Sequence, residues 1–153
     1  MLELTKVSKL FNPGTPNEKI ALMDANLKLN PGDFVTVIGS NGAGKSTLMN
    51  IISGVLKPDV GEVRIGGEVI HHHPEHARSR WVGRAFQDPM AGTAPRMTIE
   101  ENLTMAYKRG QRRGFGWGAT ARRRAIFREQ LQRLGIGLED RMHAKVGLLS
   151  GGE

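Results

Sequence analysis

The sequence predicts an α/β fold, on three observations. Phe34 to Ile38 is a short apolar run rich in β-branched residues, bounded by Gly32-Asp33 and Gly39. That is the pattern of a strand buried on both faces, as in a parallel sheet. Gly39-Ser40-Asn41-Gly42-Ala43-Gly44-Lys45-Ser46 then fits Gly-x4-Gly-Lys-Ser/Thr. After it, Leu48, Ile51, Ile52 and Val55 recur at helical spacing, with Gly54 near a helix end. Strand, glycine loop and helix, in that order, is the context in which the pattern forms a phosphate loop.

The residue types match that chemistry. Glycines at 39, 42 and 44 open backbone turns closed to residues with a Cβ, so several N–H groups face one anion. The loop feeds a helix N-terminus, whose free N–H groups and dipole favour phosphate. Lys45 supplies a full positive charge for the β- and γ-phosphates, Ser46 offers a hydroxyl to Mg²⁺, and Thr47 adds a phosphate contact. Together, Gly39, Ser40, Asn41, Gly42, Ala43, Gly44, Lys45, Ser46 and Thr47 make a nucleoside-triphosphate site.

The elements around the loop follow in order. Leu2 and Leu4 alternate with Glu3 and Thr5 as a first strand. Phe11-Asn12-Pro13-Gly14-Thr15-Pro16 is turn chemistry, and Leu27-Lys28-Leu29 is a second strand before Asn30-Pro31-Gly32. Val63-Arg64-Ile65, Gly66-Gly67 and Glu68-Val69-Ile70 read as a hairpin with a two-residue loop. His71, His72, His73 and His76 cluster around Pro74 without an accompanying carboxylate or cysteine pattern, so a solvated turn entering a helix is favoured over a metal site. Trp81 to Phe86 reads as another strand, ending at Gln87-Asp88-Pro89. Thr98-Ile99-Glu100-Glu101 is a capping box that opens a helix with Ile99, Leu103 and Ala106 on one side. Four glycines interrupt between Gly110 and Gly118, and a second helix is expected over 119–134.

Composition narrows the class. A chain of 153 residues, 39% hydrophobic and 24% charged, is long enough for one domain with a real core. With no cysteine, disulfides and cysteine-ligated metal are excluded, which suits a reducing compartment. The first thirty residues carry scattered charges and no unbroken apolar region, against a secretory signal. No run approaches the ~20 apolar residues that span a bilayer. A cytoplasmic protein, free or docked to a membrane through a partner, is expected.

The net charge of +7 is concentrated. Between Lys108 and Arg124 lie seven basic residues (Lys108, Arg109, Arg112, Arg113, Arg122, Arg123, Arg124) and no acidic one, while elsewhere the counts balance at fifteen each. Anionic lipid would be drawn to this segment at about 1 kcal/mol per basic residue near the surface. Phe115 and Trp117 interleave with the arginines, as in stacking on nucleic acid. A solvated helix face plus a glycine loop is slightly favoured over both.

In motif order the chain resembles the N-terminal part of an ATP-binding-cassette (ABC) transporter ATPase. The phosphate loop is followed by the Gly-Gly hairpin, then by Phe86-Gln87-Asp88-Pro89 where the family has its Q-loop. Leu149-Ser150-Gly151-Gly152-Glu153 comes last, close to the family's Leu-Ser-Gly-Gly-Gln signature. The resemblance covers the whole chain. It implies an α/β P-loop NTPase (RecA-like) core with an antiparallel β subdomain and the start of a helical subdomain, truncated. The division would be 1–90 (β subdomain plus P-loop core) and 91–153 (helical subdomain up to the signature loop).

The resemblance also implies roles. Phe11 resembles the aromatic that stacks on adenine. Gln87 resembles the glutamine that touches Mg²⁺ and the attacking water, which makes Lys45 and Gln87 the catalytic candidates and Ser46 and Gln87 the metal candidates. Ser150, Gly151 and Gly152 resemble the loop that contacts the γ-phosphate of ATP held by the opposite subunit, implying a head-to-tail dimer with two ATP molecules between the subunits. The implied function is the ATP-binding subunit of an ABC transporter, using ATP and Mg²⁺ and coupling hydrolysis to solute transport from the inner face of the cell membrane. Implied partners are membrane-spanning permease subunits, a second copy of the ATPase and, indirectly, a solute-binding protein. Asn12-Pro13-Gly14-Thr15 and Gly92-Thr93-Ala94-Pro95 resemble ATPases paired with bacterial importers of amino-acid-like solutes.

Two departures shape the expectation. Glu153 stands where the pattern has Gln. The family's Mg²⁺-directing aspartate, catalytic glutamate and switch histidine follow the signature, where this sequence stops. The 153 residues are therefore expected to bind nucleotide without turning it over alone, and the Phe34–Ile38 strand to be short of sheet neighbours. A soluble ABC-type ATPase acting on nucleic acid is an alternative, disfavoured because no second cassette or large insertion is visible. A GTPase is disfavoured because no Asn-Lys-x-Asp motif occurs.

Overall fold

A computed structural model describes residues 1–111 and 118–150. Arg112, Arg113, Phe115 and Trp117 of the basic segment, and Gly151, Gly152 and Glu153 of the signature, lie outside the described residues. The chain divides into two compact units, Met1–Gly83 and Arg84–Glu153.

The first unit is built on an antiparallel sheet of β1 (Leu2–Phe11), β2 (Lys19–Leu29), β3 (Val60–Ile65) and β4 (Glu68–Val69), in the order β2-β1-β3-β4. Leu4 of β1 pairs with Leu27 on one side and Val63 on the other. Leu4 and Val7 are three residues apart and in a regular strand would face opposite sides. A bulge corrects this: the β1–β2 register shifts between Leu4 and Val7, and Lys6 takes a left-handed φ of 49°. The extra residue returns Val7 to the buried face. Leu4, Val7, Val63 and Ile70 form the core with Ile51 from helix α1 (Lys45–Ser53). Burying each such side chain stabilises by about 1.5–3 kcal/mol. Gly66 and Gly67 both have positive φ, as the two-residue turn between β3 and β4 requires.

Two expected strands are not formed. Phe34 to Ile38 pairs with no strand, and Phe34 and Ile38 are 95% and 89% exposed. An apolar run becomes a strand only when a neighbour supplies a ladder, and no described residue does so here. Trp81 to Phe86 is likewise irregular. Trp81 packs on the core instead, with the Arg80 guanidinium 3.7 Å over its ring. The histidine-rich stretch is a turn entering the short helix α2 (Glu75–Arg78).

The second unit centres on α3 (Ile99–Tyr107) and α4 (Ala121–Gln132). The capping box at α3 is complete: the Thr98 hydroxyl accepts from Glu101 N–H, and the Glu101 carboxylate accepts from Thr98 N–H. Helix α4 is shorter than its pattern, with Thr120 as N-cap. Ile99, Phe127, Leu131, Leu138 and Met142 form this unit's core, and Tyr107 meets Phe127 edge-on. The stretch before Ser150 is zipped to the stretch before α3, with Val146 N–H donating to Met97 O at 3.0 Å and Gly147 N–H to Pro95 O at 2.9 Å.

Candidate functional site

The glycine loop is shaped by two contacts. At Gly44 φ is 86°, and a Cβ there would lie 2.3 Å from the Ala21 carbonyl oxygen, so the loop backs directly onto β2. Gly42 also has positive φ, at 85°. Gly39 does not. Its requirement is space, because a Cβ would stand 3.1 Å from the Ala43 Cβ. Ala43 N–H donates to Ser40 O and closes the turn, and Leu48 N–H donates to Gly44 O at 2.8 Å as α1 begins.

Lys45 curls over this loop. Its Nζ donates to the carbonyls of Gly39 at 2.6 Å and Ser40 at 2.7 Å. Ser46 is exposed on the first turn of α1, with Thr47 beside it half-buried. Phe11, at the end of β1, lines one cleft of about 270 Å³ with Asn41, Gly42, Ala43, Gly44, Lys45, Ser46 and Thr47. Lys19 and Ala21 of β2 line it too, although no motif marks them. The signal that would find them is the hairpin: β2 returns directly beneath the loop, and Lys19 is the cross-strand partner of Phe11.

These residues fit a polyphosphate ester with a planar base. Glycine backbone at positive φ before a helix N-terminus, a lysine, two hydroxyls and an aromatic ring share one open cleft. Among the described residues no group of three or more His, Cys, Asp or Glu could hold a metal ion.

Gln87 and Ser150 belong to the second unit. Gln87 is exposed in a bend, followed by a 3₁₀ turn over Pro89–Gly92 that Asp88 caps by accepting from Met90 N–H at 2.9 Å. Ser150 is exposed after a 3₁₀ turn over Val146–Leu148.

Comparison with known proteins decides the family. The "ABC transporter" family profile matches residues 22–153. The chain belongs to the ABC transporter family. Among its ABC relatives is the tyrosine transport ATP-binding protein of Clostridioides difficile, 43% identical over 113 residues, which are 72% of this chain and 44% of that protein. A ribose import ATP-binding protein of Streptomyces avermitilis is 35% identical over 95% of this chain and 27% of its own length. Among solved structures, a dimeric ATP-binding cassette in a post-hydrolysis state, bound to ADP and Pi, superposes with a TM-score of 0.76 at 31% identity, over 99% of this chain and 64% of that one. The fold is therefore that of the ABC ATPase cassettes, P-loop NTPases whose family members hydrolyse ATP. The chain spans less than half the length of the tyrosine transport relative and under two thirds of these cassettes. No described helix of the chain is long and apolar enough to cross a membrane.

Proposed function

We propose that this chain is the nucleotide-binding part of an ABC importer's ATPase subunit. The observation that carries the reading is the single cleft shared by Phe11 and the loop from Asn41 to Thr47. In it Phe11 stacks on adenine, and the N–H groups of residues 39–45 with Lys45 and Thr47 hold the phosphates. Ser46, with Gln87, ligates Mg²⁺, and Lys45 and Gln87 serve hydrolysis. Ser150, Gly151 and Gly152 reach the γ-phosphate of ATP on a second copy in a head-to-tail dimer; the dimeric state of the ADP-bound neighbour supports the dimer itself. Permease subunits at the inner face of the membrane, with a solute-binding protein beyond them, complete the transporter. The tyrosine-transport and ribose-import relatives support import of a small solute.

The unpaired Phe34–Ile38 run favours a second reading for the 153 residues taken alone: nucleotide binding without turnover. Titration of the chain with a fluorescent ATP analogue and Mg²⁺ tests both. Saturable binding lost in Lys45→Ala supports the site, and phosphate release above background would overturn the no-turnover reading. Wild-type chain that retains no nucleotide sinks the proposal.

A further inference from the structure

We propose that Lys19 is a second phosphate-binding cation of the nucleotide cleft, delivered by β2 and placed between the Phe11 ring and the glycine loop. The inference rests on the nucleotide-binding reading above and adds to it a residue outside the loop. Lys19 pairs with Phe11 across the β1–β2 ladder, and Ala21, two residues on at the register shift between Lys9 and Leu10, carries the carbonyl against which Gly44 packs. That geometry brings the ammonium to the loop. Lys19 Nζ lies 3.2 Å from where a Cβ on Gly42 would stand, and the side chain lines the cleft.

The charge balance of the cleft gives this placement its meaning. Lys9, also beside Phe11, is neutralised by Asp59 at 2.7 Å. Lys45 is engaged by two loop carbonyls. Lys19 makes no side-chain hydrogen bond or ion pair with any described residue, and no acidic side chain lines the cleft. An exposed cation left unmatched beside a ring of backbone N–H donors raises the local potential for anions. Its position on the Phe11 side of the cradle puts it toward the base-proximal phosphates, so ADP and ATP both gain from it.

The test is equilibrium binding of Mg-ADP and Mg-ATP to wild-type chain, Lys19→Gln and Lys19→Arg, at low and high NaCl, with circular dichroism to confirm folding. Lys19→Gln is expected to weaken both nucleotides by three- to tenfold at low salt, with the gap narrowing as salt rises, and Lys19→Arg to restore most of the loss. Wild-type affinity in Lys19→Gln would overturn the inference while leaving the nucleotide site intact. So would a loss that is independent of salt and not rescued by arginine, since that is a packing effect. If wild-type chain binds neither nucleotide, the underlying reading falls instead, and the inference with it.

Discussion

The guanidinium of Arg78 donates to the main-chain carbonyl of Ile51 at 2.5 Å, inside the first unit. Arg78 is fully buried and forms no ion pair with any described carboxylate. Its acceptors are carbonyls: Ile51 and Ile52 from the last turn of α1, and His71 and His73 from the turn before α2. Orphan carbonyls and the negative dipole end of the phosphate-loop helix thus meet a cation. Burial holds the Arg78 guanidinium below the usual arginine pKa. Arg78→Met would strand four carbonyls, at about 1–3 kcal/mol for each group left buried and unsatisfied. We expect a loss of at least about 3 kcal/mol by urea unfolding. Arg78→Lys should recover little, because a point charge cannot span the same acceptors. A near-neutral Arg78→Met would refute the assignment.

Gly44→Ala separates backbone need from side-chain chemistry. The substitution adds a Cβ 2.3 Å from Ala21 O at a φ of 86°. Strain of about 1–3 kcal/mol is expected at such positions, before any clash is relieved. The chain should lose thermal stability and nucleotide affinity together. Gly66→Ala is the control: its φ is also positive, but a Cβ there meets nothing within 4 Å and it lies outside the cleft. It should cost about 1 kcal/mol in stability and leave affinity alone. Equal effects on binding would contradict a close-packed loop.

Acid should weaken the first unit in two windows. Burial, with the neighbouring His72 adding to it, holds the His71 imidazole below its ordinary pKa. Its contribution to stability is complete above the ordinary value of about 6.5 and is lost as pH falls from there toward the lower folded value. The Leu10 N–H, then Lys9, hold the Asp59 carboxyl below its ordinary pKa, so its contribution is lost only as pH falls below about 4. Both signs favour stability at higher pH. Urea midpoints at pH 8, 6, 5, 4, 3 and 2 should show His71→Gln flattening the upper window and Asp59→Asn the lower. Unchanged slopes in either variant would remove that group from the account.

What the sequence made legible is what short spacings encode. The glycine loop, the Gly66-Gly67 turn and the Thr98/Glu101 box each depend on residues within a few positions, and each is in place. Arg78 was not readable, because a cation in a polar, histidine-rich stretch has the pattern of a solvated residue and its acceptors on α1 lie 26 and 27 residues away. Lys19 depends on a β1–β2 register that shifts between Leu4 and Val7, between Val7 and Lys9 and again between Lys9 and Leu10, which no local pattern marks. Phe34 to Ile38 has the composition of a core strand, but strand formation belongs to the pair and not to the segment.

Glu100 and Arg124 link α3 and α4 in the second unit, with Glu100 Oε1 2.6 Å from Arg124 Nε. The pair is asymmetric. The Glu100 side chain is 6% exposed and that of Arg124 51%. Truncating Arg124 leaves a buried carboxylate whose remaining ion-pair contact among the described residues is His143 at 3.6 Å, whereas truncating Glu100 releases an arginine already half in water. Removing the partner of a buried charge costs about 3–5 kcal/mol, but a half-exposed pair sits toward the lower end of that range or below it. We therefore expect Arg124→Ala to cost about 2–3 kcal/mol and Glu100→Gln, which keeps an acceptor and sheds the charge, no more than about 1 kcal/mol. Arg122→Ala, on the exposed face of the same helix, should be within about 0.5 kcal/mol of wild type. The double variant Glu100→Gln/Arg124→Ala should recover part of the single Arg124 loss, since the stranded charge is gone. A double variant whose cost equals the sum of the two singles would show that the carboxylate was never dependent on Arg124.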